Sequence, residues 1–132
     1  MSWEDLREFK DKGRRFGNVF ATITSRKSIL LSSGLVHELG EEIKNNEFVR
    51  LLYSPSNRAI VMDFINDEKD PSAIKLSKGT NVQIAAGSFM NYYNLEPQNL
   101  AGRYSPKQED IPGRGKKWVI FLNEKEGNEI KD

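Results

Sequence analysis

The sequence predicts a β-rich α+β protein with short helices, built from two similar ββαββ units that close into a small barrel-like body. Three observations carry this prediction. Apolar runs such as Val19 to Thr24 and Ala59 to Ile65 are short, rich in β-branched residues and bounded by turn residues, which is strand patterning. Two brief stretches, after Ser32 and after Gly87, switch to helical spacing. The order strand, turn, strand, short helix, connection, strand, loop, strand then runs twice, with Ile29-Leu30-Leu31-Ser32-Ser33-Gly34 set against Val82-Gln83-Ile84-Ala85-Ala86-Gly87 at an offset of 53 residues. Coincidental similarity within one α+β domain is the competing reading. In a chain of 132 residues neither half can bury a core alone, whereas two halves can share one sheet system and leave few exposed edges.

The elements follow in order. Ser2 is a helix cap with Asp5 at the capping-box position, and Trp3, Leu6 and Phe9 give a three-turn helix one apolar stripe. Gly13 and Gly17 end it, so residues 1–18 read as an N-terminal helix and basic arm. The first unit, 19–66, holds strands at Val19 to Thr24 and Ile29 to Leu31, then a helix whose apolar face is Leu35, Val36 and Leu39 and whose stop is Gly40. Glu41 to Glu47 reads as a polar connection. Phe48 to Tyr53 and Ala59 to Ile65 are strands joined by the turn-rich Ser54-Pro55-Ser56-Asn57-Arg58. Asn66 to Ser72 is a polar linker. The second unit, 73–122, has strands at Ala73 to Ser77 and Val82 to Ala86, a short helix over Phe89 to Tyr93, a brief strand at Gly102 to Tyr104 and a last strand at Lys117 to Leu122. Ser105 to Gly115 contains two prolines and two glycines and reads as a loop, and 123–132 as a charged, frayed tail.

Composition narrows the chemistry. With 20 Lys+Arg against 19 Asp+Glu, bulk charge cannot drive polyanion binding. The absence of cysteine removes disulfide frameworks, thiolate metal sites and cysteine nucleophiles. The lone histidine, His37, leaves little for a triad. Carboxylates Glu38, Glu41, Glu42, Asp63 and Asp67 are scattered without the spacing of a catalytic pair. Asp67, Glu68 and Asp70 lack the pattern of a cation-binding loop. No catalytic residue, cofactor or metal is therefore expected, and the protein is not expected to be an enzyme. No apolar run approaches the roughly 20 residues of a membrane span and no leader is visible, so a cytoplasmic location away from membranes is expected.

The neutrality is a sum of unlike segments. Residues 12–27 carry Lys12, Arg14, Arg15, Arg26 and Lys27 with no acid, whereas residues 28–70 hold four basic and eight acidic residues. The stretch Ser28 to Gly40, followed by Ile43, Glu47-Phe48-Val49-Arg50-Leu51-Leu52 and Ala59-Ile60-Val61-Met62, resembles the swapped-hairpin family of AbrB, MazE and MraZ. Leu39-Gly40 and Glu47-Phe48-Val49 match that family in type. Ser32 stands where the family usually has Pro, and Asn46 where it has Gly. The resemblance covers residues 19–65 and is faint over 73–122; two copies in one chain would be similar to MraZ. It implies a DNA-binding transcriptional regulator, dimeric or pseudo-dimeric, whose basic residues near the first strands face double-stranded DNA. Arg14, Arg15, Arg26 and Lys27 occupy those positions, where guanidinium forks could reach phosphates and base edges. An ordinary solvated face is the bland alternative.

Arg114, Lys116 and Lys117 form a second basic loop, with Arg103 and Lys107 near in sequence, and are candidate auxiliary phosphate contacts. The loop lacks the Gly-Lys-Ser/Thr ending of a P-loop. Phe89, Tyr92, Tyr93, Tyr104 and Trp118 are aromatic surface for stacking single-stranded bases, or core; the helical spacing of the first three favours core. A rival reading is a protein-interaction module, antitoxin-like, phage-encoded or an assembly protein, that binds a protein partner through Trp3, Leu6 and Phe9. Self-association as a homo-oligomer is expected in the DNA-binding reading.

Overall fold

Alternating side chains dictate strands, and the computed structural model, which describes residues 18–79 and 81–125, arranges them as two five-stranded antiparallel sheets with a few short helices. In chain order the elements are β1 (Ala21–Ile23), β2 (Ser28–Leu31), α1 (Ser33–Leu39), α2 (Glu41–Lys44), β3 (Phe48–Ser54), β4 (Ala59–Ile65), β5 (Ala73–Lys75), β6 (Ser77–Lys78), β7 (Val82–Ala85), α3 (Gly87–Tyr92), α4 (Pro97–Leu100), β8 (Gly102–Tyr104), β9 (Lys107–Ile111) and β10 (Gly115–Phe121), followed by a 3-10 turn at Leu122–Glu124.

The first sheet runs β6-β7-β2-β1-β8 and the second β5-β3-β4-β10-β9. Early and late strands meet at the middle of each: Ile29 lies opposite Ile84 in the first, and Val61 opposite Val119 in the second. The chain passes from one sheet to the other three times: through α1 and α2 between β2 and β3, and abruptly at β5–β6, where only Leu76 intervenes, and at β8–β9, where only Ser105 and Pro106 do. Leu76 is buried and its N–H donates to the Glu47 carbonyl at 2.9 Å, which fixes one of these crossings.

One core fills the space between the sheets. Ile23, Ile29 and Ile84 meet Val49, Ile60, Met62 and Ile120 there, all essentially without exposed surface. Because strand residues alternate faces, Ala59, Val61 and Val119 fall on the opposite side of the second sheet and form a smaller cluster with Leu52, Ile111 and Phe121. The Ser32 hydroxyl organises the start of α1: it accepts from the N–H of Leu35 at 3.1 Å and of Phe20 at 2.9 Å, and donates to the Asn18 carbonyl at 2.9 Å. Gly40 ends α1 at φ 53°, where a Cβ is disfavoured.

Several sequence expectations change. The connection at 41–47 contains α2, anchored by buried Ile43. Pro97 opens α4 at a position where its missing N–H is no loss. The expected loop at 105–115 contains β9, which pairs with β10 from Lys107↔Val119 to Ile111↔Gly115. Four of its five residues are exposed, so no apolar alternation marks it; main-chain pairing makes the strand. The tail begins attached: Glu124 accepts from the Lys107 ammonium at 2.8 Å, and the Lys125 ammonium donates to the carbonyls of Asn99 and Ala101. The expected N-terminal helix with Trp3, Leu6 and Phe9 falls outside the described residues. No helix among the described residues is long and apolar enough to cross a membrane.

Candidate functional site

The β1–β2 turn is built by Thr24. Its hydroxyl accepts from the Ser28 N–H at 3.1 Å and the Arg26 N–H at 3.3 Å, and its carbonyl accepts from the Lys27 N–H at 3.0 Å. Lys27 takes φ 67°, a left-handed conformation that an L-residue enters only under local constraint. Two bonds supply part of that constraint. The Lys27 carbonyl accepts from the Ala86 N–H at 2.9 Å, and its ammonium donates to Asn91 Oδ1 at 2.6 Å. The turn is thus tied to both ends of α3. An ammonium carries three donors, so Lys27 keeps capacity for an anion. Arg26 is exposed, and its guanidinium has no hydrogen bond or ion pair among the described residues.

Helix α3 points one residue into the core, Met90, and two rings outward. Tyr92 is 78% exposed and Tyr93 38%. Tyr93 lies 5.2 Å from the half-buried Phe89 ring and 5.1 Å from Tyr53 of β3, and Tyr92 meets Tyr93 edge-on at 4.8 Å. Phe89, Tyr92 and Tyr93, with Pro71 to Ile74, line a cleft of about 560 Å³. The expectation that Tyr92 and Tyr93 belong to the core is therefore corrected. Tyr92 stands two residues from Met90, about 200° around a helix, so burying one exposes the other. Tyr104 and Trp118 are buried instead, so neither joins a stacking surface.

The other basic candidates separate from this edge. Arg114 sits in the β9–β10 turn and Lys116 beside it, both exposed. That turn is at the far end of the second sheet: Tyr53, which touches α3, is in the Ile60–Ile120 row, and Gly115 is five residues further along β10, about 17 Å at strand rise. Lys117 is committed elsewhere. Its ammonium pairs with Asp63 at 3.1 Å, and Asp63 also receives Arg50 at 3.2 Å, which reaches Asp70 at 2.8 Å. Glu42 lies near this network, and burial pushes its carboxyl above the usual range, against the pull of Lys117 and with the push of Asp63. Lys107 is paired with Glu124, and the Arg103 guanidinium stacks 4.5 Å over the Phe20 ring. Arg14 and Arg15 lie outside the described residues. No cluster of three or more metal-ligating side chains occurs among the described residues. Of the seven basic positions singled out in the sequence, the fold brings Arg26 and Lys27 together on a braced turn, and Arg114 and Lys116 together on another.

Comparison with protein-family models, curated proteins and solved structures gives no match to this chain.

Proposed function

We propose that the protein is a non-enzymatic DNA-binding regulator that contacts double-stranded DNA through the β1–β2 turn. The observation that carries this reading is the exposed Arg26 guanidinium, without a hydrogen bond or ion pair among the described residues, on a turn braced by the bond from Lys27 to Asn91. A fork held on a rigid mount loses little entropy on meeting a phosphate or a guanine edge. Arg114 and Lys116 serve as auxiliary phosphate contacts on a duplex long enough to reach the second turn. Lys117, held by Asp63, is left out.

The fold, in this proposal, is a single-chain relative of the swapped-hairpin arrangement. Two features support this. Residues 19–66 run two strands, two helices and two strands and residues 73–122 run three strands, two helices and three strands, so both halves place a helix pair between strands, and the central pairs β2·β7 and β4·β10 join one half to the other. The regulator acts as a homodimer presenting two turns to two half-sites; light scattering of the full chain at working concentration reads that mass directly.

Arg26→Ala combined with Lys27→Ala tests the reading. Anisotropy titration on duplex DNA should show weakened binding, and the slope of log K against log salt should fall by about 0.9 for each phosphate that is no longer neutralised. An unchanged affinity and slope, with the circular dichroism spectrum intact, rejects it.

A further inference from the structure

We infer that the α3 edge takes unpaired bases, making single-stranded or locally opened nucleic acid the ligand of this site; the inference rests on the nucleic-acid reading above. Isolated exposed aromatics are ordinary on protein surfaces. Here four rings are contiguous, with Tyr53 and Phe89 half-buried as a floor and Tyr93 and Tyr92 rising from it into solvent. Tyr92 and Tyr93 are nearly perpendicular, at 83°, so their faces are turned in different directions and neither stacks on the other. A ring face open to solvent can receive a base only if that base has left its own stack, which bases in an intact duplex have not.

Charge selects the occupant. Asn91, next to Tyr92 in α3, accepts from the Lys27 ammonium at 2.6 Å, and Arg26 is the neighbouring residue of the turn. Asn91 is about 100° around the helix from Tyr92, so the Lys27 ammonium flanks α3 on the side next to the exposed Tyr92 and away from Phe89 and Tyr93. A cation flanking an open ring matches a strand that alternates phosphate and base, the pairing of electrostatic track and stacking platform by which single strands are bound. A purely apolar peptide would leave both cations unused. The cleft behind the rings, walled by Pro71, Ser72, Ala73 and Ile74, is about 560 Å³, which is within the usual range of small-ligand sites and so has room for a base.

The test compares a labelled oligothymidine of about 12 nucleotides, within the site size of small single-strand binders, with a blunt hairpin duplex, using the full chain. The single strand should bind more tightly than the duplex. Tyr92→Ala should weaken the single strand about tenfold, the loss of one stacked base, and leave duplex binding within about twofold; Tyr92→Phe should keep wild-type affinity. Because Tyr92 is mostly exposed, its truncation leaves the core intact. If Tyr92→Ala and Tyr93→Ala leave single-strand affinity unchanged while Arg26→Ala lowers duplex affinity, the stacking inference is overturned and the DNA reading stands. If the wild type binds neither nucleic acid, both are overturned, and loss of a co-purifying protein in Tyr92→Ala would give the rings to a protein partner.

Discussion

Asp63 is nearly buried yet charged, and it survives there because two cations face it, Arg50 at 3.2 Å and Lys117 at 3.1 Å. Asp63→Ala leaves both without their shared partner. Arg50 is a third exposed and keeps Asp70, so the loss should be about 2–3 kcal/mol, below that of breaking a fully buried pair, measured as a lower urea midpoint. Glu42 gives a pH dependence of definite sign. Its carboxyl is raised, so the native state binds its proton more tightly than the unfolded chain does. That contribution is full below the ordinary carboxyl range and is lost as pH rises through the raised value. Glu42→Gln should therefore raise stability at pH 7 relative to wild type and flatten the pH profile of the urea midpoint. Tyr104 behaves alike at the alkaline end. Its buried hydroxyl donates to the Leu100 carbonyl at 2.7 Å, and burial pushes the phenol up to about 12. Stability should fall as pH rises from about 10, the ordinary phenol value, toward about 12, and Tyr104→Phe should lessen that fall while costing about 1 kcal/mol at neutral pH. The basic residues themselves are legible in the sequence, but not their partners. Lys117 reads as a free cation until β10 is laid beside β4, because Asp63 belongs to the other half of the chain.

At the level of elements, legibility follows burial on one face. The strands β3 and β4, the turn between them and helix α1 with its Ser32 cap and Gly40 stop stand where the apolar pattern and turn residues put them. The polar strand β9 is invisible in the sequence for the converse reason: it covers no core and is held by its ladder to β10. Its charged side chains keep an open edge from pairing with other chains. Replacing Lys107, Glu109 and Asp110 by Val or Thr should raise strand propensity yet promote aggregation, visible as increased light scattering on mild heating. Helix α3 is visible in the sequence, but its exposed face is not, since six residues contain too few turns to tell the buried side from the open one. The site's aromatic half therefore becomes apparent only once Met90 is seen to occupy the core. The crossing residue Leu76 offers a sharper test of how the sheets are joined. Leu76→Ala removes a buried side chain where the chain changes sheet and should cost about 2–5 kcal/mol, more than the same change at half-exposed Leu52.

For the molecule as a whole, the consequential fact is that both sheets are assembled from both ends of the sequence. Neither β2 nor β4 keeps its central neighbour if the chain is divided after residue 66, because β7 and β10 come from the remainder. Fragments 18–66 and 67–125 should each lack strand signal in circular dichroism and regain it when mixed, whereas two independently folding domains would show it separately. The same division cuts through the proposed site. Arg26 and Lys27 belong to the early β1–β2 turn, but Asn91 of α3, which accepts from the Lys27 ammonium, and Ala86 at the start of α3, whose N–H holds its carbonyl, come from the late half. During synthesis, a nascent chain that has emerged only through β4 displays the basic turn without its brace and without Tyr92 and Tyr93. The contact proposed for this edge becomes available only once residue 91 has left the ribosome and docked, so an unfinished chain would not compete with finished protein for the same nucleic acid.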